Sequence, residues 1–194
     1  IAIKLADTSQ QTGLLEQLLD ERIVRFRKDE NLYKLERVVL QKASLLEKTE
    51  RKDDVLQLLK TFKELPDIRK KLIQVTWSQG DIETVKQLAE EAQILFKEYP
   101  GRISEWTNWL LKAADAEGDT GKVLNMMHEL LINEPSMENY LNLKNQYPEN
   151  WTQYLQNELI PEMEQNYPTQ AILPEIFLHE QMHDRLLNYL HQHA

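Results

Sequence analysis

The chain has 194 residues, a formal charge of −9 and no cysteine. This length suits one domain with a substantial core or an elongated array, and the lack of cysteine excludes disulfides, thiolate zinc sites and a cysteine nucleophile. The net negative charge would repel phosphate backbones, so nucleic acid is not expected as a partner.

The hydropathy of the chain favours a soluble protein with a cytoplasmic location. The N-terminal stretch IAIKLADTSQQ lacks the charged start and the apolar core of a signal peptide. No apolar run approaches the roughly 20 residues that a spanning helix needs, so no membrane partner is predicted. Because the chain begins at Ile1 and not at Met, we expect it to be part of a longer protein or a processed one.

The composition predicts helices throughout. Glycine and proline are few (5 and 7 residues), while Leu, Glu, Gln and Lys abound, which favours helix over strand. Apolar residues recur every three or four positions in two N-terminal stripes, namely Leu14, Leu15, Leu18, Leu19, Ile23 and Phe26, then Leu32, Leu35, Val38, Val39, Leu45 and Leu46. We predict an all-α fold of about ten helices in antiparallel pairs.

A run of basic residues, RIVRFRK (22 to 28), ends the first stripe, and Lys34 and Arg37 follow closely. Residues 1 to 72 carry 16 Lys and Arg against 13 Asp and Glu, whereas residues 73 to 194 carry 7 against 19. Two interpretations of the basic run stay open. Such runs are commonly a solvated helix face with Glu neighbours, or this one could meet an acidic partner.

Glycine and proline divide the rest of the chain into pieces of about 12 to 20 residues, the usual helix length. The breaks are at Pro66, Gly80-Asp81, Pro100-Gly101, Gly118-Asp119, Pro135, Pro148 and Pro168. Two of them recur in one pattern, because SQGDIETVKQL and AEGDTGKVLNM share Gly-Asp and a later valine. At both we predict that Gly ends a helix in the left-handed conformation and that Asp caps the next helix.

This recurring unit resembles the tetratricopeptide repeat, a helix-turn-helix of about 34 residues. The best copy is residues 104 to 135, with Leu110, Leu111, Gly118-Asp119, Val123, Leu130 and Pro135 at the positions that define the repeat. The copy at 66 to 100 keeps Leu72, Gly80-Asp81, Val85 and Ala92. Weaker copies follow at 36 to 65, 137 to 168 and 169 to 191.

The resemblance implies a right-handed α-α superhelix of antiparallel helix pairs. N-terminal helices would occupy residues 1 to 35, paired helices residues 36 to 168, and capping helices residues 169 to 194. The repeats vary in length, which would equally suit a degenerate α-α superhelix of another type. In such arrays the first helices of successive pairs line a concave surface, which holds another protein.

The groove positions of the family, transferred to this chain, predict a partner-binding surface of Arg37, Lys70, Gln74, Trp77, Asn108 and Lys112. Some family members clamp a partner's C-terminal carboxylate with Lys and Asn at such positions. Lys70, Asn108 and Lys112 suit that chemistry, although Gln74 stands where the clamp usually has Asn. An ordinary solvated groove is the alternative.

Two apolar pairs could also bind a peptide but are expected to pack in the core. Trp106 and Trp109 are three residues apart on one helical face, where the small Ala113 leaves room for a large ring. For Met126-Met127, likewise, a place in the core is preferred to a role as an adaptable binding surface.

The stretch LHEQMH (178 to 183) contains His179-Glu180-x-x-His183, the spacing by which zinc hydrolases place two ligands and a base on one helical face. We expect no catalytic zinc, because the repeat register aligns Met182-His183 with the turn at Gly118-Asp119 and because the third ligand is missing. The surrounding LPEIFLHEQMHDRLLNYL is similar to helical repeats that follow a SWIM zinc finger in some bacterial proteins. That finger needs cysteines, which this chain lacks.

No GxxxxGK[ST], GxGxxG or GxSxG motif occurs, and no carboxylate pair stands out as acid and base. No cofactor is predicted. The first hypothesis is a noncatalytic module that binds a protein or peptide, which could be acidic, through its concave surface. Two alternatives stay open: a zinc-dependent hydrolase that uses His179, Glu180 and His183, and a regulatory domain that senses a peptide.

Overall fold

A computed structural model describes residues 9–98, 100–147 and 150–193. Within these three ranges all regular secondary structure is helical, so the predicted all-α fold is confirmed. None of the helices in these ranges is long and apolar enough to cross a membrane. The chain divides into two compact units, residues 1–98 and residues 99–194.

The first unit consists, over residues 9–98, of five helices joined by short turns. They are α1 (Ser9–Lys28), α2 (Leu32–Lys48), α3 (Lys52–Thr61), α4 (Pro66–Ser78) and α5 (Ile82–Leu95). Each helix packs against the next, and α2 also contacts α4. Fully buried apolar side chains fill the space between them, among them Val39, Leu59, Ile68, Ile73 and Ala89.

The second unit begins with longer helices and ends with short ones. They are α6 (Pro100–Ala116), α7 (Thr120–Asn133), α8 (Met137–Gln146), α9 (Trp151–Tyr154), α10 (Ile160–Gln165), α11 (Tyr167–Gln170), α12 (Leu173–His179) and α13 (His183–His193). A π-helical segment, Leu155–Leu159, joins α9 to α10. The core of this unit is built around buried side chains that include Leu131, Tyr140, Leu143, Met163 and Phe177.

The two turns that the sequence marks with glycine form as predicted. Gly80 and Gly118 have φ angles of 78° and 73°, in the left-handed region that glycine adopts without strain. Asp81 and Asp119 then cap the next helices, each accepting a hydrogen bond from a backbone N–H at 3.1 and 3.0 Å, respectively. Both predicted roles, glycine as terminator and aspartate as cap, are confirmed.

The same turn occurs without glycine at three further places in the described ranges. Glu30, Glu50 and Gln181 have φ angles of 52°, 57° and 58°. The residue after each of them donates its backbone N–H to the carbonyl five residues earlier, as the residues after Gly80 and Gly118 also do. This bond belongs to the Schellman motif that closes helices. One hairpin geometry is therefore repeated inside both units.

The predicted proline breaks have different outcomes. Pro66 and Pro100 begin α4 and α6, and Pro135 lies between α7 and α8. Pro168 is the second residue of the short α11, which begins two residues after α10 ends, so this break also lies at a helix start. Pro148 lies outside the described residues.

Two details of the predicted register differ from the structure. Leu130 is only half-buried, while its neighbour Leu131 is 0% exposed and occupies the core position. The expected segment boundaries after residues 35 and 168 fall inside α2 and α11. The predicted core position is thus displaced by one residue at Leu130, and the two predicted boundaries do not coincide with helix ends.

A charged side chain, Arg69 of α4, lies in the core of the first unit and is 0% exposed. Its Nε donates to the carbonyl of Lys63 at 2.8 Å, and its Nη1 donates to the carbonyl of Leu88 and to the Glu91 carboxylate, both at 3.0 Å. Hydrogen bonds from Lys63 and Arg69 hold the pKa of Glu91 below its ordinary value. Arg69 thus joins the loop before α4 to α5 through backbone groups that need a partner when buried.

Candidate partner-binding surface

In the first unit, the predicted surface residues lie on α2 and α4. Lys70, Gln74 and Trp77 are four and three residues apart, so they share one side of α4. Gln74 is exposed, and Lys70 and Trp77 are half-buried. Arg37 is an exposed residue of α2. The structure therefore brings three of the six predicted residues onto one helical stripe.

Two polar contacts hold α4 beside α2. The Glu36 carboxylate accepts a hydrogen bond from the backbone N–H of Asp67 at 2.7 Å, which satisfies one of the free donors at the start of α4 and complements its dipole. Lys71 of α4 forms an ion pair with Glu47 of α2 at 2.8 Å. Arg37, the next residue of α2, is exposed and takes no part in either contact.

In the second unit, Asn108 and Lys112 are exposed residues one turn apart on α6. The Lys112 ammonium lies 4.5 Å from the centroid of the Trp109 ring, within the range of a cation–π interaction. This contact orients the ammonium along the helix surface. The structure brings Asn108 and Lys112 together within their own unit, and the carboxylate clamp that would combine them with Lys70 stays a prediction.

The tryptophan and methionine pairs differ in their burial. Trp106 is 0% exposed, as the core interpretation predicts. Trp109 is half-buried, beneath Lys112. Met126 and Met127 are also half-buried, and Met127 packs against the core of the second unit. Of these four side chains, only Trp106 is completely removed from the surface.

The LHEQMH stretch is not a single helix. α12 ends at His179, α13 begins at His183, and Gln181 between them is left-handed. The predicted turn is confirmed, although its left-handed residue is one position earlier than alignment with Gly118 suggests. Because the two histidines belong to different helices, they do not share a helical face. Within the described ranges, no group of three or more His, Asp or Glu side chains could hold a metal ion.

Glu180, the base in the hydrolase interpretation, makes structural contacts instead. Its Oε1 accepts hydrogen bonds from Tyr140 at 2.8 Å and from Lys144 at 2.5 Å, both on α8. Burial raises the pKa of the Glu180 carboxyl, but these two hydrogen bonds outweigh it and hold the pKa below its ordinary value. Burial, with the neighbouring Glu180, raises the pKa of Tyr140. Glu180 therefore ties the α12–α13 turn to α8.

Replacing Glu180 with glutamine is expected to lower the free energy of unfolding at pH 7 by about 1 to 2 kcal/mol, because the amide loses charge-assisted hydrogen bonds. Since the folded-state pKa is depressed, the carboxylate stabilises the fold above its unfolded-state pKa of about 4.3 and loses that effect as the pH falls through the folded value. The difference from the wild type should therefore shrink as the pH falls below the unfolded-state value and vanish once the pH is below the depressed folded-state pKa. Chemical denaturation at several pH values measures it.

Glu175→Gln is the matched control, because Glu175 is an exposed residue of α12. Its effect should stay within about 0.5 kcal/mol, as for most surface substitutions. If Glu180→Gln and Glu175→Gln had equal stability at neutral pH, the contact with α8 would carry no stabilisation.

His128 lies at the centre of a series of polar contacts that the sequence does not predict. The Nδ1 atom of His128 on α7 lies 3.0 Å from the Tyr154 hydroxyl, and its Nε2 atom lies 2.9 Å from the Glu162 carboxylate. Burial raises the pKa of Tyr154, with smaller contributions from Tyr147, Glu158 and Glu162. Tyr154 is only 7% exposed. The two contacts of His128 join α7 to α9 and α10. No sequence signal relates these positions, because they lie far apart along the chain.

Comparison of the chain with protein-family models, with curated proteins and with solved structures gives no match. The function must therefore be inferred from the surfaces and contacts of the chain itself.

Proposed function

We propose that this chain is a noncatalytic helical-repeat module that binds a protein or peptide through residues of α2 and α4 in the first unit and residues of α6 in the second unit. The observation that carries the proposal is the stripe of Lys70, Gln74 and Trp77 on α4, in which Gln74 is exposed and Lys70 and Trp77 are half-buried. This row offers a partner an aromatic ring, an amide and a cation, which supply apolar contact, hydrogen bonds and charge. Asn108 and Lys112 repeat the amide and the cation on α6.

The chemistry of these side chains suits a peptide ligand. Glutamine and asparagine amides donate and accept hydrogen bonds, as an extended peptide backbone requires. The lysines pair with carboxylates, and Trp77 supplies apolar contact area. The repeated hairpin turn supports an arrangement as a right-handed α-α superhelix, whose first helices line a concave side. A cytoplasmic location and a partner other than nucleic acid remain predictions.

The hydrolase alternative has weaker support. Its two candidate zinc ligands, His179 and His183, are on different helices, and Glu180 is hydrogen-bonded to Tyr140 and Lys144. A general base needs access to a water molecule or a substrate, and this carboxylate is held by its packing contacts. No contact favours the peptide-sensing alternative over simple partner binding.

A selection from a displayed library of random peptides tests the proposal. Peptides selected on the wild-type protein should bind the Lys70→Ala/Gln74→Ala variant, the Lys112→Ala variant, or both, at least about fivefold more weakly, which is about 1 kcal/mol. The loss should shrink as salt is added, because exposed charge contacts are screened. Fluorescence anisotropy with labelled peptides measures the affinities.

The control is Lys52→Ala/Lys60→Ala, which removes two exposed lysines of α3 and should leave binding unchanged. Thermal unfolding should show that all variants remain folded. A selection without any enriched peptide, or selected peptides that bind every variant equally well, would contradict the proposed surface.

A further inference from the structure

The hairpin of α1 and α2 carries four exposed cations, two of which lie close to one aromatic ring. The side-chain charges of Arg25 and Lys34 lie 5.3 and 5.8 Å from the centroid of the Phe26 ring. Arg22 lies one turn before Arg25 on α1, and Arg37 lies one turn after Lys34 on α2. All four charged side chains are exposed. Arg22, Arg25, Lys34 and Arg37 are together called the basic cluster.

The basic cluster is little neutralised within the first unit. Over residues 9–98, Arg22 and Arg37 form neither an ion pair nor a side-chain hydrogen bond. The Lys34 ammonium contacts the Phe26 ring. Arg25 meets Asp29 at 3.9 Å, with both side chains more than half exposed, and such a pair contributes little. The cluster therefore presents positive charge to solvent.

The carboxylates on the other side of α1 are already paired. Asp20 accepts a hydrogen bond from Lys42 of α2 at 2.5 Å, and Glu16 accepts one from Arg51 at 2.7 Å. Glu21 lies beside the basic cluster and accepts a hydrogen bond from Gln17. The exposed carboxylates close to the four cations along the chain are Glu21 on α1 and Asp29 and Glu30 in the turn that follows it.

Two exposed leucines continue the same side of α1. Leu14 and Leu18 are 63% and 43% exposed, and they precede Arg22 by eight and four residues. Leu14, Leu18, Arg22 and Arg25 therefore follow one stripe, about 17 Å long at the rise of an α-helix. The stripe is apolar at one end and cationic at the other.

We propose that this face of α1 and α2 binds an acidic amphipathic segment of a partner protein. Apolar side chains of that segment pack on Leu14 and Leu18, and its carboxylates reach the basic cluster. The inference rests on the proposed function of a partner-binding module, and it adds the chemistry of the partner and a second row of binding residues, which shares Arg37 with the surface proposed above. Charge complementarity with these exposed cations selects an acidic occupant.

Nucleic acid fits this face less well than an acidic peptide. The whole chain carries a charge of −9, and residues 99 to 194 hold 5 Lys and Arg against 14 Asp and Glu, so phosphate backbones are repelled by most of the protein. The exposed Leu14 and Leu18 also call for an apolar ligand surface, which a phosphodiester backbone lacks.

Synthetic peptides can test the charge requirement directly. The probe is a helical peptide with leucines at one end and glutamates at the other. Its comparisons are the same peptide with glutamines in place of the glutamates and a single-stranded RNA of similar length. At low salt the glutamate peptide should bind at least about tenfold more tightly than either comparison. Its advantage should fall as salt is raised.

Variants of the face locate the binding. Arg22→Glu/Lys34→Glu should weaken binding of the glutamate peptide at least about tenfold, while Lys52→Glu/Lys60→Glu on α3 should change it less than about twofold. Leu14→Ser/Leu18→Ser should weaken both peptides without changing the salt dependence of the glutamate peptide. Far-ultraviolet circular dichroism confirms that each variant is folded.

Three outcomes would overturn the inference: equal affinity for the glutamate and glutamine peptides, unchanged affinity after reversal of Arg22 and Lys34, or tighter binding of the RNA. These outcomes would leave the surface on α4 and α6 standing, because none of the altered residues belongs to it. Conversely, the loss of binding in the Lys70 and Lys112 variants is measured with the peptides selected from the library, not with the glutamate peptide. The two proposals therefore fail separately.

Discussion

Replacing Arg69 with alanine is expected to lower the free energy of unfolding of the first unit by about 3 to 5 kcal/mol. Arg69 is 0% exposed, so the substitution leaves a cavity and removes the donors for the carbonyls of Lys63 and Leu88. The ion pair with Glu91 adds little, because the Glu91 side chain is 48% exposed and solvent screens the attraction. Hydrogen exchange of α4 and α5 amides measures the effect, and about 3 kcal/mol corresponds to a loss of protection of about a hundredfold.

Arg25→Ala is the matched control for Arg69→Ala. It removes the same side chain from an exposed site whose ion pair with Asp29 is 3.9 Å long, so the expected change is below about 0.5 kcal/mol. The free energy of unfolding of Arg69→Met should fall between those of Arg69→Ala and Arg25→Ala, since methionine fills most of the space but donates no hydrogen bond. If Arg69→Ala were as stable as Arg25→Ala, the buried guanidinium would not hold the loop before α4 to α5.

Replacing Leu110 with aspartate is expected to destabilise the second unit by at least about 3 kcal/mol, because it places a carboxylate without a partner in an apolar contact. Leu110 is 8% exposed, and Trp106, Ala113 and Ala114 on the same side of α6 are nearly or fully buried. These residues are spaced by four, three and one, as one helical face requires. The denaturation midpoint followed by tryptophan fluorescence measures the loss.

Asn108→Asp is the control for this substitution, because Asn108 is exposed two residues earlier on the same helix. It introduces the same charge without burying it and should change the stability by less than about 0.5 kcal/mol. A midpoint for Leu110→Asp equal to that of Asn108→Asp would mean that the face of α6 that carries Leu110 is not packed.

The turns show how far local sequence predicts this fold. Gly80 and Gly118 could be identified from the sequence because glycine, which has no Cβ, adopts the left-handed conformation at little cost in free energy. Helices therefore commonly end at glycine. Glu30, Glu50 and Gln181 adopt the same conformation, although the left-handed region costs a residue with a Cβ roughly 1 to 2 kcal/mol. Packing of the flanking helices outweighs that cost, so no residue preference marks these turns.

Around the candidate binding surface, too, the sequence predicts some side-chain positions and not others. The spacing of Lys70, Gln74 and Trp77 was sufficient to place them on one side of α4, since the helical period depends only on neighbouring residues. Arg69 directly precedes this stripe, in a run of three cations. It falls on the apolar period of Leu65, Leu72 and Ile73, but its charge argued for exposure.

Helix formation, the period of each apolar face and the glycine turns follow from interactions within a few residues, so they can be derived from the order of amino acids. Which charged groups are buried or paired was decided only by tertiary contacts. Arg69 finds Leu88 and Glu91, and Glu180 finds Tyr140 and Lys144. Hydrogen bonds and ion pairs act over a few ångströms between residues far apart in the chain, and a helical period does not specify which distant groups meet.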